Sequence, residues 1–172
     1  MGKSAGKLER GVSLLEALVV VALIGTILLV ALPSFFRMLQ TYRTQTAVSQ
    51  LAMNLRFSRN AAVKQKVKYQ IRVNRNSDSP SNRYFVEYDP SGTSTFVVVP
   101  HVDVSYDLGA SCSCVKMPEK IKILDSTTAT TILFSSRGGA SGSGDILIQG
   151  LDGSQYRIRV STVGGVETTK LS

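Results

Sequence analysis

Residues that commonly build catalytic and metal sites are scarce in this sequence. Its 172 residues include two cysteines, Cys112 and Cys114, and a single histidine, His101. A protein zinc site needs several cysteine or histidine ligands, so such a site is not expected here. No second histidine is available to act with His101, and no serine stands in the glycine-flanked pattern of a hydrolase nucleophile. We therefore predict that the protein is not an enzyme and binds no metal or cofactor.

Phosphate-binding glycine loops are missing as well. The stretch Ser135–Gly144 holds four glycines and four serines around Arg137, but it contains neither the lysine-bearing phosphate loop nor the dinucleotide fingerprint. We predict a flexible loop there rather than a nucleotide site. The two cysteines are one residue apart, so a bridge between them would be strained and would form only in an oxidising compartment; whether they pair stays open.

Charge is absent from one long segment near the N-terminus. Ala17–Phe36 is a run of twenty residues without a charged side chain, close to the roughly 20 residues that a helix needs to cross a hydrocarbon core. Before it, Lys3, Lys7 and Arg10 against Glu9 contribute +2, three minus one, to the formal net charge of +8. Because segments rich in lysine and arginine stay in the cytoplasm, the N-terminus is expected there and the rest of the chain on the far side.

A Sec-type cleavage site does not follow this apolar run, because Arg37-Met38-Leu39-Gln40 comes at once and lacks the small-x-small pattern. The apolar helix is therefore expected to remain in the mature protein. Glu16 stands at the margin of the run, where a carboxylate is costly unless it has a partner. Pro33 should bend the helix, because proline removes a backbone donor and clashes with the preceding turn.

After the apolar run the pattern becomes amphipathic and then alternating. Apolar residues at helical spacing continue the helix to about Lys64 and mark the face that it buries: Val48, Leu51, Ala52, Leu55 and Ala62. Short segments typical of strands follow at 67–73, 84–88, 96–99, 102–106, 121–124, 131–134, 146–148 and 156–160. We predict an α+β fold in which a long N-terminal helix packs on an antiparallel β-sheet domain.

The segment Arg10–Val20, with the sequence Arg-Gly-Val-Ser-Leu-Leu-Glu-Ala-Leu-Val-Val, resembles the class III signal of type IV pilins and pseudopilins. The resemblance implies that a prepilin peptidase cuts after Gly11 on the cytoplasmic side and methylates the new N-terminus at Val12. Phenylalanine is the usual first mature residue in that family, so Val12 departs from the pattern. The resemblance also implies that Glu16 serves assembly by meeting the N-terminal amine of a neighbouring subunit.

Three further segments resemble the GspH/FimT family within that superfamily: Leu51–Val73, Phe134–Gly138 with its Phe-x-x-x-Gly pattern, and Tyr156–Gly165. The resemblance implies a type IV pilin-like fold. It also implies a structural minor pilin or pseudopilin, at or near the tip of a type II secretion pseudopilus or a type IV pilus, that supports protein secretion or pilus biogenesis. Its implied partners are the prepilin peptidase, other pilin or pseudopilin subunits, the inner-membrane assembly platform and membrane lipid.

These inferences divide the chain into four parts. Residues 1–11 are expected to form a cytoplasmic leader, 12–40 the transmembrane and assembly part of the helix, 41–66 its amphipathic half, and 67–172 a periplasmic β-rich domain. The protein would then be a single-pass inner-membrane protein that is later incorporated into a filament. Both a type II secretion machine and a type IV pilus are compatible with the sequence.

Some fimbrial relatives bind DNA, which gives an alternative function in DNA uptake during natural transformation. Arg157 and Arg159 would be the contacts, in a chain that keeps +6 of its charge, eight minus two, after the leader. The Gly-Arg-x-Arg motif of those relatives corresponds here to Gly164-Gly165-Val166-Glu167, which lacks both arginines. The simpler interpretation is that Arg157 and Arg159 form the solvent face of the last strand.

Overall fold

A computed structural model of the protein describes residues 13–79, 81–99, 114–125 and 129–171. The chain divides into two compact units, Met1–Met38 and Leu39–Ser172. Helix α1, Leu14–Gln65, contributes residues to both units, so the helix predicted to run to about Lys64 is present over nearly the expected range.

The first unit is helical from Leu14 onward. Within it the Thr26 hydroxyl donates to the carbonyl oxygen of Leu23 at 2.8 Å, so this polar group is satisfied inside the helix. No uninterrupted helix in the described part of the chain combines the length and hydropathy of a membrane span. The segments 14–29 and 31–65 do so only as a pair, with a bend of 41° between them. Pro33 lies inside α1, after the break between these two segments, and its effect on the helix stays a prediction.

The second unit begins on α1 and buries one face of it. The helix can continue this far because no glycine or proline occurs between Ser34 and Gln65. Its predicted apolar face is confirmed, since five side chains are at most 3% exposed: Val48, Leu51, Ala52, Leu55 and Ala62. The helix ends where Lys66 adopts a left-handed backbone conformation, with φ of 57°.

Ten strands follow the helix in the described part of the chain: β1 Lys68–Asn74, β2 Arg83–Asp89, β3 Val97–Val98, β4 Val115–Lys116, β5 Lys122–Ile123, β6 Thr131–Phe134, β7 Ala140–Ser141, β8 Gly144–Gln149, β9 Gln155–Val160 and β10 Val166–Lys170. One sheet has the order β3-β2-β1-β6-β7, with β4 also paired to β2. The other sheet has the order β10-β9-β8-β5. Every pairing is antiparallel.

A single hydrophobic core joins the helix to both sheets. Alternation supplies the strand contribution, because successive side chains of a strand point to opposite faces. In β1 the buried residues are Tyr69, Ile71 and Val73, and in β9 they are Tyr156, Ile158 and Val160. The α+β fold predicted from the sequence, a helix packed on antiparallel sheet, is therefore confirmed.

Several local predictions differ from the structure. Strands β4, β7 and β10 were not predicted, and of the predicted strand 96–99 only Val97 and Val98 pair. The flexible loop predicted at Ser135–Gly144 is wrong, since that stretch holds a hydrogen-bonded turn, β7 and the start of β8. The strand predicted at 102–106 lies outside the described residues.

The environment of Cys114 answers part of the question about the cysteines. Its side chain is buried and disulfide-bonded, and Nη1 of Arg83 donates toward its Sγ at 3.5 Å. The other cysteine of the chain, Cys112, lies outside the described residues. A disulfide fits an oxidising compartment, where such bonds persist.

Candidate functional site

Glu16 lies in the first turn of α1, where a carboxylate complements the positive end of the helix dipole. The helix starts with a hydrogen bond from the Ala17 amide to the Ser13 carbonyl, 3.1 Å long. The Glu16 side chain is exposed. Gly11 and Val12, the predicted cleavage and methylation residues, lie outside the described residues, so the pairing of Glu16 with the amine of Val12 stays a prediction.

From Leu14 to Met38, the described part of the helix exposes large apolar side chains on both sides of Glu16 along the chain. Their exposed fractions run from 43% at Leu32 to 83% at Leu14, and the most exposed others are Leu15, Val21, Ile27, Leu29 and Met38. A continuous apolar surface of this kind marks a region that contacts lipid or other proteins. We call this surface together with Glu16 the candidate assembly helix, residues 14–38.

In the second unit, three hairpins close with the same five-residue turn, at 135–139, 150–154 and 161–165. In each, the fourth residue donates its N–H to the carbonyl of the first, and the first donates to the carbonyl of the fifth. The fourth residue is a glycine with positive φ: 84° at Gly138, 81° at Gly153 and 79° at Gly164. This is the pattern of a type I turn followed by a left-handed residue, which favours glycine.

Arg59 of α1 holds two of these turns together. Its Nε donates to the Gly138 carbonyl and its Nη2 to the Val163 carbonyl, both at 3.2 Å. The Ala140 amide also donates to the Thr162 carbonyl at 2.8 Å, which joins the two turns directly. The segments Phe134–Gly138 and Tyr156–Gly165 that carried the family resemblance therefore end in one shared junction. The part played by Arg59 was not predictable from the sequence, because an arginine on an amphipathic helix usually points to solvent.

The remaining turn, at 150–154, packs on α1 near the start of the second unit. Oδ2 of Asp152 accepts a hydrogen bond of 2.8 Å from the Thr41 hydroxyl, and Oδ1 accepts from the hydroxyl of Ser154. These bonds, chiefly the one from Ser154, lower the pKa of Asp152. A Cβ at Gly150 would lie 2.6 Å from Oγ1 of Thr44, so only glycine allows this close approach.

Comparison with known proteins finds a family and a solved structure that are similar to this chain. The family model described as type II transport protein GspH matches residues 47–164, more than half of the chain. The chain belongs to the GspH family. Among solved structures, the minor pseudopilin EpsH from the Type 2 Secretion System of Vibrio cholerae is similar, with a TM-score of 0.54, 8% sequence identity, and coverage of 74% of this chain and 97% of that chain. At this identity the likeness shows the fold alone. A comparison with curated protein sequences finds no match.

The GspH match covers the part of the chain that forms the hydrophobic core and the two turns that Arg59 joins. It begins at Ala47, on the buried face of α1, and ends at Gly164, in the turn that Arg59 contacts. The assembly helix lies before the matched residues. Family membership therefore rests on the second unit, whereas the assembly helix adds an independent feature typical of pilin-like proteins.

In this GspH-family protein the two candidate DNA contacts lie on the outer face of β9, which is followed by β10 and so is not the last strand. Nε and Nη2 of Arg159 donate to the two carboxylate oxygens of Asp145 at 2.8 and 3.0 Å, and Nε of Arg157 lies 3.5 Å from the same carboxylate. The bond from Arg159 lowers the pKa of Asp145, and Asp145 in turn raises the pKa of Arg159.

A second carboxylate faces the same pair. Glu167 of β10 stands directly opposite Arg159 in the antiparallel register. Two negative side chains, Asp145 and Glu167, therefore surround the two arginines, and their charges compensate. An engaged and compensated pair attracts phosphate less than two free guanidinium groups would.

Proposed function

We propose that this protein is a minor pseudopilin of a type II secretion system: a structural, non-catalytic subunit that assembles into the pseudopilus through residues 14–38. One observation carries the proposal. A GspH-family core is preceded in the same chain by a helix whose described large apolar side chains are all exposed and whose sole charge between Ser13 and Phe36 is Glu16.

Processing and location follow from the leader. The prepilin peptidase removes residues 1–11 and methylates Val12, while Ala17–Phe36 holds the protein in the inner membrane with its C-terminal domain in the periplasm. The assembly platform then moves the subunit into the filament, at or near the tip. The type II machine is favoured over a type IV pilus because the matching family is described as a type II transport protein.

Glu16 sets the register of assembly. Cleavage creates a positive amine on Val12, and four residues along a helix bring Glu16 to the same face, so the two charges attract within one subunit. In a filament of staggered helices the carboxylate meets the amine of a neighbour instead. An unpaired carboxylate costs about 2.5–3.5 kcal/mol at the centre of a membrane helix and less at its margin, so docking is favoured where this charge is paired.

A Glu16→Ala variant tests the proposal. It should be inserted and cleaved like the parent, but it should be recovered poorly in sheared filaments and in cross-links to partner pseudopilins. Glu167→Ala is the matched control, because it removes an exposed carboxylate from the second unit and should assemble normally. Normal incorporation of Glu16→Ala would show that the carboxylate is not the register device.

A further inference from the structure

The second unit contains a cleft of about 360 Å³ lined by Arg43, Pro118, Glu119, Ile121 and Leu151. Its walls are held by local structure. Leu151 belongs to the turn 150–154 that the bond between Asp152 and Thr41 ties to α1. On the opposite wall, the Ile121 amide donates to the Pro118 carbonyl at 3.1 Å, and Ile121 is buried. The cleft is therefore a preformed feature of the fold.

Two charges of opposite sign border this cleft without partners. Within the part of the chain that the structure describes, neither the Arg43 nor the Glu119 side chain forms a hydrogen bond or an ion pair. Four other arginines in the unit have carboxylate partners: Arg72 with Glu87, Arg75 with Asp78, and Arg157 and Arg159 with Asp145. The cleft thus offers one free cation and one free anion beside three apolar side chains.

One residue of this cleft, Arg43, follows the proposed membrane segment closely along the chain. Arg43 follows Phe36, the last residue of the uncharged run, by seven residues of α1, which is about 10 Å of helix rise. The headgroup layer on each side of a bilayer is about 5–8 Å thick, and a long arginine side chain can reach back toward it. The location depends on the membrane anchoring proposed above.

We propose that the cleft binds the headgroup of a zwitterionic phospholipid that carries a primary ammonium group. The Arg43 guanidinium would donate to the phosphate, for which its planar fork is suited. The Glu119 carboxylate would accept hydrogen bonds from the ammonium. The apolar side chains of Pro118 and Leu151, which border the cleft beside the buried Ile121, would contact the glycerol backbone. Cavities that hold small ligands have volumes of about 300–1,000 Å³, so this cleft suits a headgroup rather than a whole lipid.

Phosphatidylethanolamine fits this description, and two other common lipids each lack one part of it. Phosphatidylcholine has a quaternary ammonium without N–H donors, and phosphatidylglycerol has no ammonium. A bound headgroup would hold the second unit at the membrane surface before the subunit leaves for the filament. Because no described residue pairs with either charged side chain of the cleft, both are available for this contact.

The test uses the full chain in nanodiscs of an equimolar mixture of phosphatidylethanolamine, phosphatidylcholine and phosphatidylglycerol, with retained lipids measured by native mass spectrometry. The parent should retain phosphatidylethanolamine several-fold over the other two. Arg43→Gln should lower retention of every phospholipid, whereas Glu119→Gln should abolish the preference for phosphatidylethanolamine over both other lipids and leave the retention of those two unchanged. Arg137→Gln and Glu167→Gln change exposed charges outside the cleft and should behave like the parent.

Three outcomes would overturn the proposal. The first is equal retention of the three lipids by the parent. The second is unchanged lipid selectivity in both cleft variants. If those variants instead lost cross-links to partner pseudopilins, the cleft would be a protein contact. The third is failure of the chain to enter nanodiscs, which would overturn the anchoring as well; entry without lipid preference would refute the headgroup site alone.

Discussion

Replacing Gly164 by alanine should destabilise the second unit far more than the same change at Gly153. Both glycines occupy the fourth position of the same turn, with φ of 79° and 81°. Each substitution therefore carries the same backbone penalty, about 1–2 kcal/mol for a left-handed residue with a Cβ. The two sites differ only in what the new methyl group meets.

At Gly153 a Cβ has no neighbour within 4 Å, whereas at Gly164 it would lie 2.2 Å from the Gly138 carbonyl oxygen and 2.7 Å from Nε of Arg59. The Gly138 contact is with backbone, so one turn must move. Such overpacking costs about 1–3 kcal/mol, and the two displaced hydrogen bonds of Arg59 add about 0.5–1.5 kcal/mol each if they are lost. We expect Gly164→Ala to lower the free energy of unfolding by about 1–3 kcal/mol more than Gly153→Ala if Arg59 keeps its bonds, and by about 2–6 kcal/mol more if both are lost.

The assay is urea denaturation of the full chain in detergent, followed by tyrosine fluorescence, since the chain has six tyrosines and no tryptophan. Arg59→Ala should destabilise the parent, but it should add little to Gly164→Ala, because the two changes disrupt the same junction. If Gly164→Ala and Gly153→Ala had equal effects, the joining of the two turns by Arg59 would be wrong.

Two further predictions concern the outer face of β9. The pKa of Asp145 is lowered in the folded state, so its contribution to stability is present above the unfolded pKa of about 3.9 and is lost as the pH falls through the folded value. Asp145→Asn should therefore lose less stability than the parent in acid denaturation below about pH 4. Identical acid denaturation curves for the two proteins would contradict this. DNA binding by the full chain in detergent should be weaker than about 1 µM at physiological salt and fall steeply as salt rises; tighter binding that Arg157→Ala and Arg159→Ala together abolish would favour the DNA-uptake function.

The parts of the fold that were predictable have a strong local period. The buried face of α1 repeats at helical spacing around Leu51 and Leu55, and the buried residues of β1 alternate with polar ones, so both followed from the sequence. Strands β4 and β7 have two residues each, too few to show a period. In β10 the residues from Glu167 to Lys170 are all exposed, so no apolar alternation marks that strand.

The residues of the candidate site also differ in how far their roles could be predicted from the sequence. Glu16 could be singled out because a lone charge beside a long apolar run is conspicuous in sequence. The role of Arg59 could not, because its partners are the backbone carbonyls of Gly138 and Val163, which are 79 and 104 residues away along the chain. Contacts to backbone carbonyls do not depend on the partner's side chain and therefore leave no signal in the residue types.

The central claim is that pilin-type processing removes residues 1–11 and leaves the assembly helix with a new N-terminus at Val12. The intact mass of the membrane-extracted protein tests this claim most directly. In cells with an active prepilin peptidase the mass should correspond to a chain that begins at Val12 and carries one added methyl group, whereas cells without the peptidase should retain residues 1–11. A mass that still includes Met1 to Gly11 when the peptidase is active would contradict the account.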